Sequence, residues 1–163
     1  MSIAICPGSF DPITLGHLNI VRRTSRIFDQ VIVLIAVNAG KTKPMFTIEE
    51  RVDMVRRACE RYPNVIVDSS DILLAEYAKR YDNPVLVKGL RAASDFEYEF
   101  QMDLVNKHIN PKLETMYLTA SGKYTFLSSS VVREMAAYGA DLTGLVPIEL
   151  KAEIEEKAKT WRK

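Results

Sequence analysis

A histidine that could take part in chemistry directly follows a loop rich in glycine and proline. The loop, residues 7–16, reads Pro-Gly-Ser-Phe-Asp-Pro-Ile-Thr-Leu-Gly, and His17 follows it directly. It joins an apolar run, residues 3–6, to a helical pattern that begins near His17. Such a loop leaves backbone N–H groups unpaired at a strand end and aims a helix N-terminus at the same place, which suits a phosphate. We therefore expect His17 to face a bound anion, and Gly16 to clear space for that ligand.

Phosphate-binding residue types also follow the ends of other predicted strands. Lys41 follows the run 31–37, and the stretch 88–91, Lys-Gly-Leu-Arg, follows the run 85–87. Three serines, 128–130, open a helix whose free N–H groups offer a second anion site. Because the carboxyl ends of parallel strands share one edge, these groups should converge on one crevice. No nucleophile activated by a base is evident, so the set suits direct transfer between two phosphate-bearing substrates.

Each feature alone also has a plainer explanation. A histidine in a turn, a lysine on a solvated loop or a run of serines that only caps a helix would need no ligand. Other sites are excluded by spacing. No Gly-x-Gly-x-x-Gly follows the first strand, so a dinucleotide oxidoreductase is not expected. Gly122-Lys123 is no P-loop, because Tyr117 stands where the first glycine is needed and Tyr124 where serine or threonine is needed. With only two histidines, His17 and His108, we expect no protein-held metal.

Strand and helix patterns alternate along the chain, which is typical of an α/β fold. Residues 31–37 are uninterrupted apolar and β-branched, as in a strand that is covered on both faces, so this strand should be central. The five strand patterns are residues 3–6, 31–37, 65–67, 85–87 and 115–119. We predict a doubly wound, Rossmann-like parallel sheet with helices on both faces.

Polar residues predict how the helices begin. The stretches Thr47–Glu50 and Ser94–Glu97 fit capping boxes for helices that end near residues 61 and 109. Asp71 is expected to cap a short third helix, and Pro147 to be the first residue of the last helix.

Composition limits the class of protein. A chain of 163 residues with 47% hydrophobic content should form a single domain, residues 1–163. Its 22 basic and 21 acidic residues leave a formal charge of +1, so we expect no nucleic-acid partner. Cys6 and Cys59 lack metal-ligand spacing and should be reduced core residues. No apolar run is long enough for a membrane span or a signal peptide, so we expect a cytoplasmic protein without a membrane partner.

Three stretches taken together, residues 7–17, 89–91 and 126–133, resemble the bacterial phosphopantetheine adenylyltransferases. That family belongs to the nucleotidyltransferases with a His-x-Gly-His motif on a Rossmann-like sheet, and Thr14 stands here at the first histidine, as in the phosphopantetheine enzymes. The similarity runs from Ile3 to Leu150. It implies sheet order 3-2-1-4-5, a homohexamer, and Mg²⁺ held mainly by ATP phosphates and water. In the implied reaction, 4′-phosphopantetheine attacks the α-phosphate of ATP, which gives dephospho-coenzyme A and pyrophosphate.

The resemblance also implies roles for individual residues. His17, Lys41 and Arg91 would be catalytic, with His17 on the α-phosphate in the transition state. Phosphopantetheine would be bound by Ser9, Lys41, Leu74 and Lys88. ATP would be bound by Ser9, Phe10, His17, Gly89, Leu90, Arg91, Glu99, Tyr124, Thr125, Phe126, Leu127, Ser128, Ser129 and Ser130. Many members have arginine where this chain has Lys88. The lysine keeps the positive charge but lacks the bidentate fork of arginine.

Two other functions stay open. The first is adenylyl or cytidylyl transfer to another small phosphate, such as nicotinamide mononucleotide or glycerol phosphate. The second is a non-catalytic adenine-nucleotide sensor, although His17 argues against it, since binding alone needs no transition-state donor. Feedback binding of coenzyme A is a further expectation from the resemblance. Pyrophosphate release from ATP would separate an enzyme from a sensor.

Overall fold

The computed structural model describes residues 1–37 and 43–161. Its strands are β1 (Ile3–Gly8), β2 (Gln30–Ala36), β3 (Val65–Ser70), β4 (Val85–Leu90) and β5 (Glu114–Thr119). Its helices are α1 (Leu15–Thr24), α2 (Ile48–Cys59), α3 (Leu74–Ala78), α4 (Ala93–Ile109), α5 (Ser129–Ala137) and α6 (Ile148–Trp161). A short 3₁₀ turn, Gly122–Tyr124, precedes α5. Lys41, which the sequence predicts to be a site residue, lies outside the described residues.

All five strands are parallel, in the order β3-β2-β1-β4-β5. The predicted α/β class and strand order are therefore confirmed. Strand β1 pairs with β2 on one side and with β4 on the other, so the winding direction reverses between β1 and β4. In such sheets the carboxyl ends of the strands open a crevice at this switch point, where ligands bind.

Alternate residues of the central strands feed two separate cores. On one face, Val31, Val33 and Ile35 pack with apolar residues of α1, α2, α5 and α6. On the other, Ile32 and Leu34 pack with residues of α3. Side chains of a strand point to opposite faces in turn, so burial on both faces explains the unbroken apolar run that the sequence showed.

The helix starts were predicted in part. The capping box at Thr47 and Glu50 is present, with both reciprocal hydrogen bonds made. The box at Ser94 was wrong, because the N-cap of α4 is Ala92, two residues earlier, and it makes no side-chain capping hydrogen bond. Asp71 does not cap α3 either, because the N-cap is Leu73, which makes no side-chain capping hydrogen bond. Before it, the Ser70 hydroxyl at the end of β3 accepts from the Ile72 N–H at 3.3 Å. The last helix begins at Ile148, one residue after the predicted proline.

Both cysteines are free and buried, as predicted. Burial raises the pKa of each thiol to about 12, so both stay protonated at neutral pH. None of the helices formed by the described residues combines the length and apolar character that crossing a bilayer requires.

Candidate active site at the switch point

The capping of α1 orients His17. Thr14 is the N-cap, and its hydroxyl oxygen accepts from the His17 backbone N–H at 3.3 Å. In return, His17 Nδ1 accepts from the Thr14 backbone N–H at 3.0 Å. This is a capping box in which an imidazole takes the place of the usual glutamate or glutamine. Thr14 therefore fixes the ring of His17.

The same hydrogen bond decides the form of the imidazole. A ring nitrogen that accepts a hydrogen bond carries no proton, so the neutral ring has its proton on Nε2. Burial, and to a lesser extent the positive charge of Arg91, lowers the pKa of His17 to about 4. The ring is therefore neutral at pH 7 and offers Nε2–H as a hydrogen-bond donor.

Phe10 supports this ring from the loop. The two rings meet edge to face, with 5.0 Å between their centroids. The backbone of Phe10 is in the left-handed region, with φ of 47°, and its side chain is buried over Gly8. A Cβ on Gly8 would lie 2.9 Å from Phe10 Cε2, so only glycine leaves room for the aromatic ring. The side chain of Phe10 thus positions His17.

Gly16 lies beside the segment 124–127. A Cβ at this position would lie 3.6 Å from Tyr124 Cβ and 3.8 Å from Leu127 Cδ2, both ordinary van der Waals distances. The role of Gly16 in clearing space for a ligand stays a prediction. Within the segment 124–127, Leu127 is buried, whereas Phe126 is exposed and the Thr125 hydroxyl donates to the Gly122 carbonyl at 3.0 Å.

Arg91 enters the same space from the end of β4. Its guanidinium pairs with the Asp95 carboxylate, Nε at 3.1 Å and Nη2 at 3.3 Å, while Nη1 donates to the Leu127 carbonyl at 3.3 Å. These contacts hold Arg91 between α4 and the segment that precedes α5. Because the charge of Arg91 lowers the pKa of His17, the two predicted catalytic side chains lie close enough to interact electrostatically.

The serines at the start of α5 connect this helix to the first loop. Ser128 is the N-cap and accepts from the Val131 N–H at 3.2 Å. The Ser129 hydroxyl donates to the Pro12 carbonyl at 2.7 Å, and the Ser130 hydroxyl accepts from Arg133 Nη2 at 3.2 Å. Since the hydroxyls have these partners, the groups best placed for an anion are the backbone N–H groups of the first turn, which have no intrahelical acceptor.

A buried carboxylate beneath the loop was missed by sequence reasoning. Asp11 accepts from two backbone N–H groups, those of Phe46 at 2.9 Å and Met45 at 3.0 Å. Arg51 Nε lies 4.0 Å from one carboxylate oxygen and Arg133 Nη1 3.8 Å from the other. Asp11 therefore joins the first loop to the loop before α2, with two cations to balance its charge.

The two arginines also bind the backbone of the first loop, residues 7–16. Arg51 donates to the Ser9 carbonyl at 3.0 Å, and Arg133 donates to the Asp11 carbonyl at 2.6 Å. A sequence signal was available for Arg51, because it lies three residues after Ile48 and four before Val55, on the inward side of α2. Arg133 belongs to the stretch 126–133, but the sequence pattern predicted no role for it.

Two of the residues predicted for the acceptor, Lys88 and Leu74, lie on the face of the sheet opposite to α1. Lys88 alternates with Val87 along β4, so its side chain points to the face that α3 and α4 cover. Leu74, on α3, packs against the core of that face. Lys88 Nζ lies 2.8 Å from Glu99 Oε2, so a residue predicted for phosphopantetheine and one predicted for ATP form an ion pair. Lys88, Gly89 and Leu90 are also the last residues of β4 itself, whereas the sequence placed them just after the strand.

Gly89 makes a testable contribution to packing. A Cβ at this position would lie 3.0 Å from Ile20 Cγ1, a side chain of α1, the helix that carries His17. We expect Gly89→Ala to lower the free energy of unfolding by about 1–3 kcal/mol, as overpacking does, and to lower kcat by displacing α1. The matched control is Gly122→Ala, whose Cβ would have no atom within 4 Å. Equal thermal midpoints for the two variants would contradict this packing role.

Sequence comparisons relate this chain to known proteins. Residues 5–135 match the Cytidylyltransferase-like family model. The Phosphopantetheine adenylyltransferase of Dictyoglomus turgidum is 49% identical over 96% of this chain and 97% of its own length. The enzymes of the same name from Caldanaerobacter subterraneus and Carboxydothermus hydrogenoformans are 48% and 50% identical, over 98% and 96% of this chain and 99% and 96% of their own.

A solved structure extends the comparison to the fold. A crystal structure assigned as a nicotinate-nucleotide adenylyltransferase from Vibrio parahaemolyticus superposes with a TM-score of 0.67. The match covers 97% of this chain and 95% of that one, at 19% sequence identity. At this identity the likeness concerns the fold.

Proposed function

Because the chain belongs to the phosphopantetheine adenylyltransferase family, we propose that it transfers the adenylyl group of ATP to 4′-phosphopantetheine, as a step of coenzyme A biosynthesis. The observation that carries the chemistry is the neutral His17, which offers Nε2–H at the switch point of the sheet. Family membership carries the identity of the acceptor.

In the proposed reaction, an oxygen of the acceptor phosphate attacks the α-phosphorus of ATP. The new P–O bond forms as the bond between the α-phosphorus and the bridging β-phosphate oxygen breaks, so pyrophosphate leaves with that electron pair. No proton needs to leave the acceptor, because its phosphate is largely ionised at neutral pH. The catalytic task is to hold two anions together and to stabilise the charge of the five-coordinate α-phosphate.

On the nucleotide side, His17 donates from Nε2 to a non-bridging α-phosphate oxygen. Arg91, already placed beside it, supplies positive charge, and the first turn of α5 supplies backbone N–H groups. The remaining proposed ATP contacts come from the loop, the end of β4, α4 and the segment before α5: Ser9, Phe10, Gly89, Leu90, Glu99, Tyr124, Thr125, Phe126, Leu127, Ser128, Ser129 and Ser130.

On the acceptor side, Lys88 binds the 4′-phosphate and Leu74 contacts the pantetheine arm. Ser9 and Lys41 complete this proposed set.

Magnesium arrives as part of the MgATP substrate. Within residues 1–37 and 43–161, no group of three His, Cys, Asp or Glu side chains lies close enough to hold a metal ion. The cationic and N–H donors of this site suit the phosphate oxygens, which leaves the triphosphate and water as the ligands of the metal.

The proposal is tested by pyrophosphate release. With ATP and Mg²⁺, we expect release with 4′-phosphopantetheine and none above background with nicotinamide mononucleotide or glycerol phosphate. Faster turnover of either of the other acceptors would overturn the acceptor assignment. Binding of ATP without pyrophosphate release from any acceptor would favour a nucleotide sensor.

The wider proposal includes a single nucleotidyltransferase domain, residues 1–163, located in the cytoplasm, with coenzyme A as a feedback ligand. The relatives support the domain assignment, since this chain covers 96–99% of their lengths. Coenzyme A contains the pantetheine and adenylyl parts of the product, so it has groups for both halves of the site.

A homohexamer is also part of the proposal. Apolar side chains along α4 are exposed, namely Phe96, Tyr98, Phe100, Met102, Leu104 and Val105. Beside them, the buried Tyr117 hydroxyl has no hydrogen-bond partner among the described residues. Monomers rarely expose large continuous apolar patches, so this face suits contact with other copies. We expect light scattering to give six chains of 18.4 kDa, and Phe100→Glu with Leu104→Glu to dissociate them. A wild-type monomer at micromolar concentration would contradict the assembly.

A further inference from the structure

The ammonium of Lys88 is held by two carboxylates of α4. Its Nζ lies 2.8 Å from Glu99 Oε2 and 2.8 Å from Asp103 Oδ1, and its side chain is only 10% exposed. An ammonium has three N–H donors. Two of them are directed at these carboxylates, so one direction is left for a further acceptor such as a phosphate oxygen.

The two carboxylates are held differently. Asp103 Oδ1 also accepts from the Thr115 hydroxyl at 3.1 Å, which connects it to β5, and the Asp103 side chain is 14% exposed. Glu99 lies one turn earlier on α4, has a longer side chain and is 29% exposed. Asp103 is therefore the fixed partner of Lys88, whereas Glu99 is the exchangeable one.

We infer that Asp103 is a positioning residue for the acceptor phosphate: it fixes the Lys88 ammonium at one point, and Lys88 and Asp103 act as a matched pair. This inference rests on the proposed role of Lys88 in binding that phosphate. An arginine in place of Lys88 would behave differently. A guanidinium beside Asp103 would form a bidentate pair with the carboxylate, which would turn its fork away from the substrate. A lysine can serve Asp103 and a phosphate oxygen together.

The charges favour orientation over affinity as the reason for this arrangement. Lys88, Glu99 and Asp103 together carry one net negative charge, which by itself opposes the binding of a phosphate. A site built only for affinity would omit Asp103. Holding the attacking phosphate in line is where such a carboxylate helps, because a displacement of about 1 Å can reduce the rate by about 100-fold.

The test is a double-mutant cycle in the full-length protein with ATP and 4′-phosphopantetheine. We expect Asp103→Ala to lower kcat by about tenfold, while the KM for phosphopantetheine changes less than threefold because lost orientation and lost repulsion offset each other. We expect Lys88→Arg to lower kcat by a similar factor. The combined variant should recover to within about threefold of wild type, whereas independent effects would multiply to about 100-fold.

Controls separate positioning from folding. Asp103→Asn keeps the oxygen that accepts from both the Thr115 hydroxyl and the Lys88 ammonium and loses only the charge, so it should keep a thermal midpoint near that of wild type and lower kcat less than Asp103→Ala does. Glu114→Ala removes an exposed carboxylate of β5 that pairs with Lys107 on α4, and kcat should not change. An active wild type whose combined variant shows the multiplied loss, or whose Asp103→Ala variant keeps full kcat, would overturn this inference alone. An inactive wild type would overturn the proposed function and this inference with it.

Discussion

Replacing His17 by alanine is expected to lower kcat by roughly 10²- to 10³-fold, while the affinity for ATP changes less than threefold. The reason is that Nε2–H donates to an oxygen whose negative charge grows as the α-phosphorus becomes five-coordinate. Single-turnover rates and calorimetric ATP titration measure the two quantities separately. ATP affinity that falls in step with kcat would show that His17 acts in ground-state binding.

The capping role of His17 calls for a second variant. Alanine also removes the acceptor of the Thr14 N–H, and loss of such a cap costs about 0.5–2 kcal/mol. Glutamine at this third helical position completes a usual capping box, so His17→Gln should keep the thermal midpoint and still lose most of kcat. If His17→Gln retains wild-type kcat, the site does not require an imidazole at this position.

The pH dependence follows from the lowered pKa of His17. Since that pKa is about 4, protonation of this ring should leave kcat unchanged between about pH 5.5 and 8. In the unfolded chain the imidazole has a pKa near 6.5, so the folded state binds fewer protons between pH 6.5 and 4. The contribution of His17 to stability is therefore full above about pH 6.5 and is lost as the pH falls toward 4. His17→Gln should lack this part of the acid slope, and identical slopes would contradict the assignment.

Replacing Asp11 by alanine is expected to have the largest effect on stability, a loss of about 3 kcal/mol or more. The change leaves two buried backbone N–H groups without their acceptor and two arginines without the carboxylate between them. Chemical denaturation measures the loss. Activity should fall as well, because the same loop carries Ser9 and Phe10.

The control for Asp11 is an exposed aspartate that also pairs with an arginine. Asp53 forms an ion pair with Arg57 one turn along α2, and its side chain is largely exposed. Asp53→Ala should change the free energy of unfolding by less than about 0.5 kcal/mol, since exposed pairs contribute little. Similar losses in Asp11→Ala and Asp53→Ala would show that the buried cluster does not organise the loop.

Local patterns in the sequence were sufficient for much of the fold. The unbroken apolar run 31–37 predicted a strand covered on both faces, and the structure has it as an interior strand, β2, between β3 and the central β1. The capping box at Thr47 and Glu50 was also correct, because both partners lie within one helical turn. The similar pattern at Ser94 failed, because α4 begins at Ala93 behind an Ala92 N-cap, so Ser94 and Glu97 both lie inside the helix.

By itself, the sequence determined the α/β class, the loop with His17 and the basic residues at the carboxyl ends of the strands, because each depends on neighbours along the chain. Only the tertiary structure decided how these groups are held. Asp11 meets Met45 and Phe46 across 34 and 35 residues, and Lys88 meets Asp103 across 15. Periodicity shows which residues face inward, but a buried charge is tolerated only where distant partners compensate it. The packing of separate elements, and not the spacing within any one of them, creates those partners.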